Sequence, residues 1–250
     1  MIRTRYLFTA AILGVASSAC AQSGIAPPKW ADTLRTVIDK ATLVGDSASL
    51  AGARAFADRV ASAFPDDGLI LHYQAFAMYR EAMATRGRSG DSGPLLERAQ
   101  SILERSLAKR QLAESHSLMA AIDGQLIDRD PSRGMELGIA SQQSTTAALA
   151  LGPTNPRVWL VRGQGSIFTP PEYGGGLKVA QDQLTRAIAL FDKDAPKPGE
   201  PAWGKAEAYL WLGQVYERLG DKAKAGESYK TALSISPEYG YAKMLAAALR

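Results

Sequence analysis

Nucleophilic chemistry has two places to sit in this sequence, Gly45-Asp46-Ser47 and Gly90-Asp91-Ser92-Gly93. A serine attacks only when a histidine and an acid are brought within hydrogen-bond reach of its hydroxyl. His72 and His116 are the only histidines. Gly, Asp and Ser are also turn-building residues, because their side chains tolerate or cap tight backbone bends. Both stretches fall between predicted helices, so they read as turns and no catalytic residue is expected. The two histidines are also the metal candidates. Each falls on the first helix of a predicted pair, in neighbouring units, where both could face one groove. With Cys20 as the only cysteine and no His-x-x-His spacing, no metal is expected. A third candidate is the run Thr169-Pro170-Pro171-Glu172-Tyr173-Gly174-Gly175-Gly176. Glycines ahead of a helix can free backbone N–H groups to cradle an anion. They can equally let the chain turn tightly, with Pro-Pro fixing an extended entry and Tyr173 plugging the groove between units. No Lys-Ser/Thr follows, so this is not a nucleotide-binding loop, and no cofactor is expected.

The elements that carry these residues read as helices throughout. Alanine is abundant and β-branched runs are scarce, which favours helix. Apolar residues recur at helical spacing in Trp30–Leu43, Ser49–Phe64, Leu69–Thr85, Leu95–Lys109, Ala113–Ile127, Gly134–Leu151 and Pro156–Ile167. A further helix carries Ala180, Leu184 and Ala187. Asp192–Trp203 is a Pro-rich connector, and Glu238–Arg250 is a short last helix expected to cap the fold against solvent.

The most regular stretch is Ala206–Pro237. Leu212-Gly213 is followed by Tyr216, Gly220, Ala225, Tyr229, Ala232 and Pro237. Gly213, Ala225 and Ala232 are small, so two helices can cross closely, while Leu212, Tyr216 and Tyr229 supply bulk between them. Gly220-Asp221 ends one helix and caps the next, and Pro237 stops the second. Gly163, Ala180, Leu184 and Ala187 reproduce the pattern of Gly213, Ala225, Tyr229 and Ala232. The interval from Gly163 to Ala180 is 17 residues, against 12 from Gly213 to Ala225. The extra residues fall in the Thr169–Gly176 run.

This spacing resembles one tetratricopeptide repeat, with Tyr209 in place of the usual Trp and Tyr229 in place of Phe. The resemblance implies an all-α, helix–turn–helix solenoid of about five helix pairs with a C-terminal capping helix, since one pair cannot bury its own apolar face. It implies one repeat domain over 29–250, in which each unit touches only its neighbours. It also implies a concave groove lined by the first helix of each pair. Counted from Gly213, the groove positions are Glu207, Leu210, Gln214 and Glu217; counted from Gly163, they are Arg157, Leu160, Gln164 and Ile167. Arg157, Leu160, Gln164, Glu207, Leu210, Gln214 and Glu217, with Tyr173, are therefore the partner-binding candidates. Relatives that clamp a terminal carboxylate use Lys and Asn where Leu160, Leu210, Gln164 and Gln214 stand, so no such clamp is expected. Four Trp or Tyr residues, Trp159, Trp203, Trp211 and Tyr216, read as packing, with Trp203 the best placed for exposure. Pro156–Phe191 is similar to the periplasmic repeat component of some solute transporters. Gly90–Gly93 resembles the nucleophile loop of trypsin-like proteases, and Gly45–Ser47 the start of a family of serine esterases.

Residues 1–21 read as an export signal: Arg3 and Arg5, a short apolar run, then small residues. The run is too short to span a membrane. Cleavage after Ala21 fits an A-x-A site, and Ser17-Ser18-Ala19-Cys20 equally resembles a bacterial lipobox in which Cys20 carries lipid. Residues 22–28 are a linker. Removing Arg3 and Arg5 leaves 27 basic side chains against 25 acidic. That balance argues against nucleic acid or an anionic membrane surface as partner. The expectation is a non-enzymatic adaptor of the bacterial envelope that binds a peptide or protein segment in its groove. The alternative is a small-molecule binder or transport accessory with a pocket near Tyr173–Gly176.

Overall fold

The computed structural model describes residues 28–84 and 92–249. The export signal, Cys20 and the linker up to residue 27 lie outside them, as do Gly90 and Asp91. Among the described residues there is no strand, and five antiparallel helix pairs run in chain order. They are α1 (Pro28–Val44) with α2 (Ser47–Ala63), α3 (Gly68–Ala84) with α4 (Gly93–Lys109), and α5 (Ala113–Arg129) with α6 (Gly134–Leu151). Next come α7 (Pro156–Phe168) with α8 (Leu177–Phe191), α9 (Lys205–Arg218) with α10 (Lys222–Ile235), and a last helix α11 (Gly240–Ala248).

The helices start and stop where the side chains dictate. Asp46 accepts from Ser49 N at 2.8 Å, capping α2. Asn155 accepts from Arg157 N at 3.0 Å ahead of Pro156 at the start of α7, and Asp221 from Lys224 N at 3.0 Å at the start of α10. Each such cap is worth about 1 kcal/mol. Within a pair, the small-against-large packing appears as expected. A Cβ on Gly213 would run into the ring of Tyr229, and one on Gly163 would sit 2.6 Å from Leu184 Cγ. The two units thus share one crossing, and the extra loop between α7 and α8 leaves it intact.

One expectation is corrected. Successive units do not touch only their neighbours. The array is wound tightly enough that α11 reaches α1: Leu43 packs with Leu210, Ala232, Tyr239 and Ala242, and a Cβ on Gly240 would lie 2.9 Å from Val44 O. The last helix therefore joins the two ends rather than only capping one. The connector between α8 and α9 lies against α1, α3 and α7, on the inner face. Both results have one cause. A small rotation at each of several stacked interfaces accumulates, and nothing within a single repeat records the sum.

Candidate functional site

The first helices of four successive pairs, α3, α5, α7 and α9, face a common space. Phe76 and Arg80 come from α3, Leu118 from α5, Val161 and Gln164 from α7, and Glu207 from α9. The space left between them has room for about one water molecule, far short of the roughly 300 Å³ of a small-molecule pocket. It lies away from the Tyr173–Gly176 loop.

The middle of this concave face is a buried ion pair. Arg80 donates to both carboxylate oxygens of Glu207, at 2.9 and 2.7 Å, and Gln164 Nε2 donates to the same carboxylate at 2.9 Å. Arg80 also sits over Phe76, 4.6 Å from the ring centroid, and over Trp203 at 5.1 Å. Burial alone would raise the carboxyl of Glu207, but the charge and hydrogen bonds of Arg80 outweigh it and hold the pKa below its usual value. Asp39 of α1 looks toward the same centre. Burial pushes its carboxyl up to about 6, partly opposed by Arg80 and Arg35.

One end of the concave face is filled by the connector. Gly199 N donates to Asp32 at 2.8 Å, Tyr73 Oη donates to Gly199 O at 2.9 Å, and Arg35 donates to Glu200 O at 3.3 Å. Arg157, only 2% exposed, is paired with Asp194 at 2.5 Å. Trp203 closes the connector by stacking on Phe76, with ring centroids 4.8 Å apart. Trp203 is thus an internal anchor, not the exposed tryptophan expected of a residue after a Pro-rich segment.

The other end stays open. Phe168, half exposed at the end of α7, packs edge-to-face with Trp211 on α9 at 6.3 Å, and the guanidinium of Arg218 lies 5.1 Å from its ring centroid. The inner stripe of α7 therefore runs Arg157, Val161, Gln164, Phe168, and that of α9 runs Glu207, Trp211, Arg218. Counting from the glycines places the stripe correctly at Arg157, Gln164 and Glu207. It misses Val161, Phe168, Trp211 and Arg218, which a count of three to four residues onward from Glu207 or Arg157 reaches.

The remaining candidates have other surroundings. Leu160 and Leu210 are fully buried in the cores between units, and Gln214 is buried on α9. Glu217 is exposed and accepts from Tyr229 Oη at 2.8 Å, so it ties α9 to its own partner helix. Tyr173 is 78% exposed and plugs no groove. The glycines beside it are not an anion cradle: Gly174 N donates to Pro171 O, Gly175 N to Pro170 O and Gly176 N to Ser166 O, at 2.9, 3.1 and 2.8 Å. Their role is conformational. Gly174 and Gly176 have φ of 81° and 103°, and a Cβ on Gly175 would collide with Thr169.

Ser92 is buried and accepts from the guanidinium of Arg129, with no histidine beside it among the described residues. Asp46 is a helix cap. His72 is enclosed between Tyr73, Phe76 and Ser115, whose hydroxyl lies 2.9 Å from Nδ1, and burial pushes its pKa down to about 3. His116 pairs instead with Gln111 at 2.9 Å. Among the described residues no three His, Cys, Asp or Glu side chains converge as a metal site, and no helix is long and apolar enough to cross a membrane.

Helix pairs stacked with their first helices inward define a helical-repeat solenoid, and the comparisons agree on that fold. Residues 206–239 match the family model described as tetratricopeptide repeat. Those residues form one such repeat, and the fold of the whole is similar to that of tetratricopeptide-repeat proteins. Its fold is similar to that of the HusA haemophore from Porphyromonas gingivalis, at 21% identity and a TM-score of 0.64, over 78% of this chain and 96% of that one. It is similar also to a thermophilic TPR protein of Thermus thermophilus, at 16% identity and a TM-score of 0.63, over 89% and 98% of the two chains. No curated protein matches in sequence.

Proposed function

We propose that this protein is a non-enzymatic adaptor of the bacterial cell envelope. It is exported by its N-terminal segment, remains in the periplasm or is held by a lipid on Cys20, and binds a protein segment on the open end of its concave face. The observation that carries this reading is the division of that face. Its own connector covers one end with main-chain and aromatic contacts, and the other end leaves Phe168 half exposed and Arg218 exposed, with Trp211 half-buried beside Phe168. A partly exposed aromatic pair beside a guanidinium that forms no ion pair among the described residues suits a segment with an apolar side chain next to a carboxylate. Tyr, Trp and Arg are the residues that most often anchor such contacts. The test is capture from envelope extract by the mature protein, with Phe168→Asp and the outer-face variant Met135→Asp alongside. A partner held by wild type and Met135→Asp and lost by Phe168→Asp supports the reading. Recovery of no partner, or equal recovery by all three, sinks it. Mass spectrometry of the mature N-terminus separates a lipidated Cys20 from cleavage after Ala21.

A small-molecule carrier or transport accessory is the second reading. Its support is the likeness of fold to a haemophore and the exposed Tyr173 beside the Tyr173–Gly176 loop. Titration with haem decides it: an unchanged absorption spectrum of the added haem removes that form of the reading.

A further inference from the structure

Away from the concave face, two arginines share one tryptophan. Trp159 of α7 is pinned by its Nε1, which donates to Pro153 O at 2.9 Å. Arg186 of α8 lies 3.7 Å from the centroid of that ring, and Arg162, one turn along α7, lies 5.0 Å from it. Neither guanidinium forms an ion pair among the described residues. Asp182, one turn before Arg186, is taken by Lys178 at 3.2 Å. Both guanidiniums stay charged at any physiological pH. Like charges gathered at one ring repel. The pKa of Arg162 records it: burial lowers it, and the charge of Arg186 lowers it further.

The surroundings leave this cluster accessible. Helix α6 meets α7 only narrowly, near the start of α7, where Ala148 and Leu149 lie with Val158, while α5 makes the broader contact with α7. Trp159 and Arg162 are half-buried and Arg186 is exposed. The indole gathers two planar, five-donor groups within 3.7 and 5.0 Å of one ring centroid. The charge to be matched is about two units, and a carboxylate supplies one. A phosphate monoester or inorganic phosphate supplies about −1.5 to −2 at neutral pH with three acceptor oxygens.

We propose that Trp159, Arg162 and Arg186 form a binding site for a phosphate dianion, distinct from the concave face. Arg162 and Arg186 donate to its oxygens, and Trp159 orients both. The site does not depend on the adaptor reading above.

The experiment is calorimetric titration of the mature protein with inorganic phosphate at constant ionic strength, with acetate as the singly charged comparison. Wild type is expected to show saturable binding of phosphate and none of acetate. The double variant Arg162→Gln/Arg186→Gln is expected to bind roughly tenfold more weakly or worse, from loss of charge-assisted hydrogen bonds. Trp159→Phe, which keeps an aromatic face, should stay within a few-fold of wild type. Unchanged helical circular dichroism shows that the variants are folded. Flotation with phosphatidylcholine vesicles carrying phosphatidic acid identifies the source: vesicle binding lost in the double variant points to a lipid headgroup, and phosphate binding without vesicle binding points to a soluble ligand. Phosphate heats no different from acetate, with no vesicle binding that depends on the arginines, overturn the proposal. So does an unchanged affinity in the double variant.

Discussion

Glu207→Gln should destabilise the fold far more than an exposed ion pair would. Glu207 and Arg80 have only 11% and 12% of their side chains exposed, so solvent neither screens the pair nor replaces a lost partner. The substitution leaves the Arg80 charge buried between Phe76 and Trp203 without a counter-charge. Breaking a buried pair this way costs about 3–5 kcal/mol. In a chain of this size each kcal/mol moves Tm by roughly 2–4 °C, so a fall of about 6–20 °C is expected. Arg80→Met leaves the opposite charge stranded and should cost about the same. The double variant Arg80→Met/Glu207→Gln strands neither, and should be less harmed than the sum of the two by about 2–4 kcal/mol. Urea unfolding followed by circular dichroism and by tryptophan fluorescence measures all four proteins; Trp203 reports on the site itself. Additive single and double effects would refute the reasoning, because they would mean that solvent reaches the pair and the ring closure owes it nothing.

Other consequences follow from the same contacts. Asp39→Asn should stabilise the protein at pH 7.5 by about 1–3 kcal/mol. Because the Asp39 carboxyl is raised from 3.8 to about 6 in the fold, its contribution is favourable below pH 4 and is lost as pH rises to about 6, so Asp39→Asn should flatten urea midpoints over that window. Glu207 has the opposite sign: its lowered carboxyl stabilises above the unfolded value, about 4.3, and this is lost as pH falls below it. Gly213→Ala must displace Tyr229 and should cost about 1–3 kcal/mol, read as a lower urea midpoint. Ser92→Ala should cost about 1–2 kcal/mol, since Arg129 loses its acceptor, and any esterase activity of the preparation should be unchanged.

Much of the fold was legible because its signals are local. Gly213 and Tyr229 lie in adjacent helices of one hairpin, and so do Gly163 and Leu184, so a small residue set against a large one within some twenty positions specifies each crossing. The caps Asp46, Asn155 and Asp221 act within three residues. The concave stripe was half legible. Arg157, Gln164 and Glu207 could be counted from the glycines, while Leu160 and Leu210 fell one residue out of register, and one residue turns a side chain by 100° into the core.

Local spacing alone specifies a row of close-packed helical hairpins, with the glycines of the Thr169–Gly176 run available for a turn. Whether those glycines offered their N–H groups to a ligand or to their own chain was decided only by the tertiary structure, as was the use of Trp203. Arg80 and Glu207 are 127 residues apart, and Asp32 and Gly199 are 167 apart. Their meeting depends on the summed rotation of several unit-to-unit interfaces and on a connector folded back across them. No spacing within a repeat encodes that sum. It sets which end of the concave face the chain fills for itself, and which end it leaves less covered.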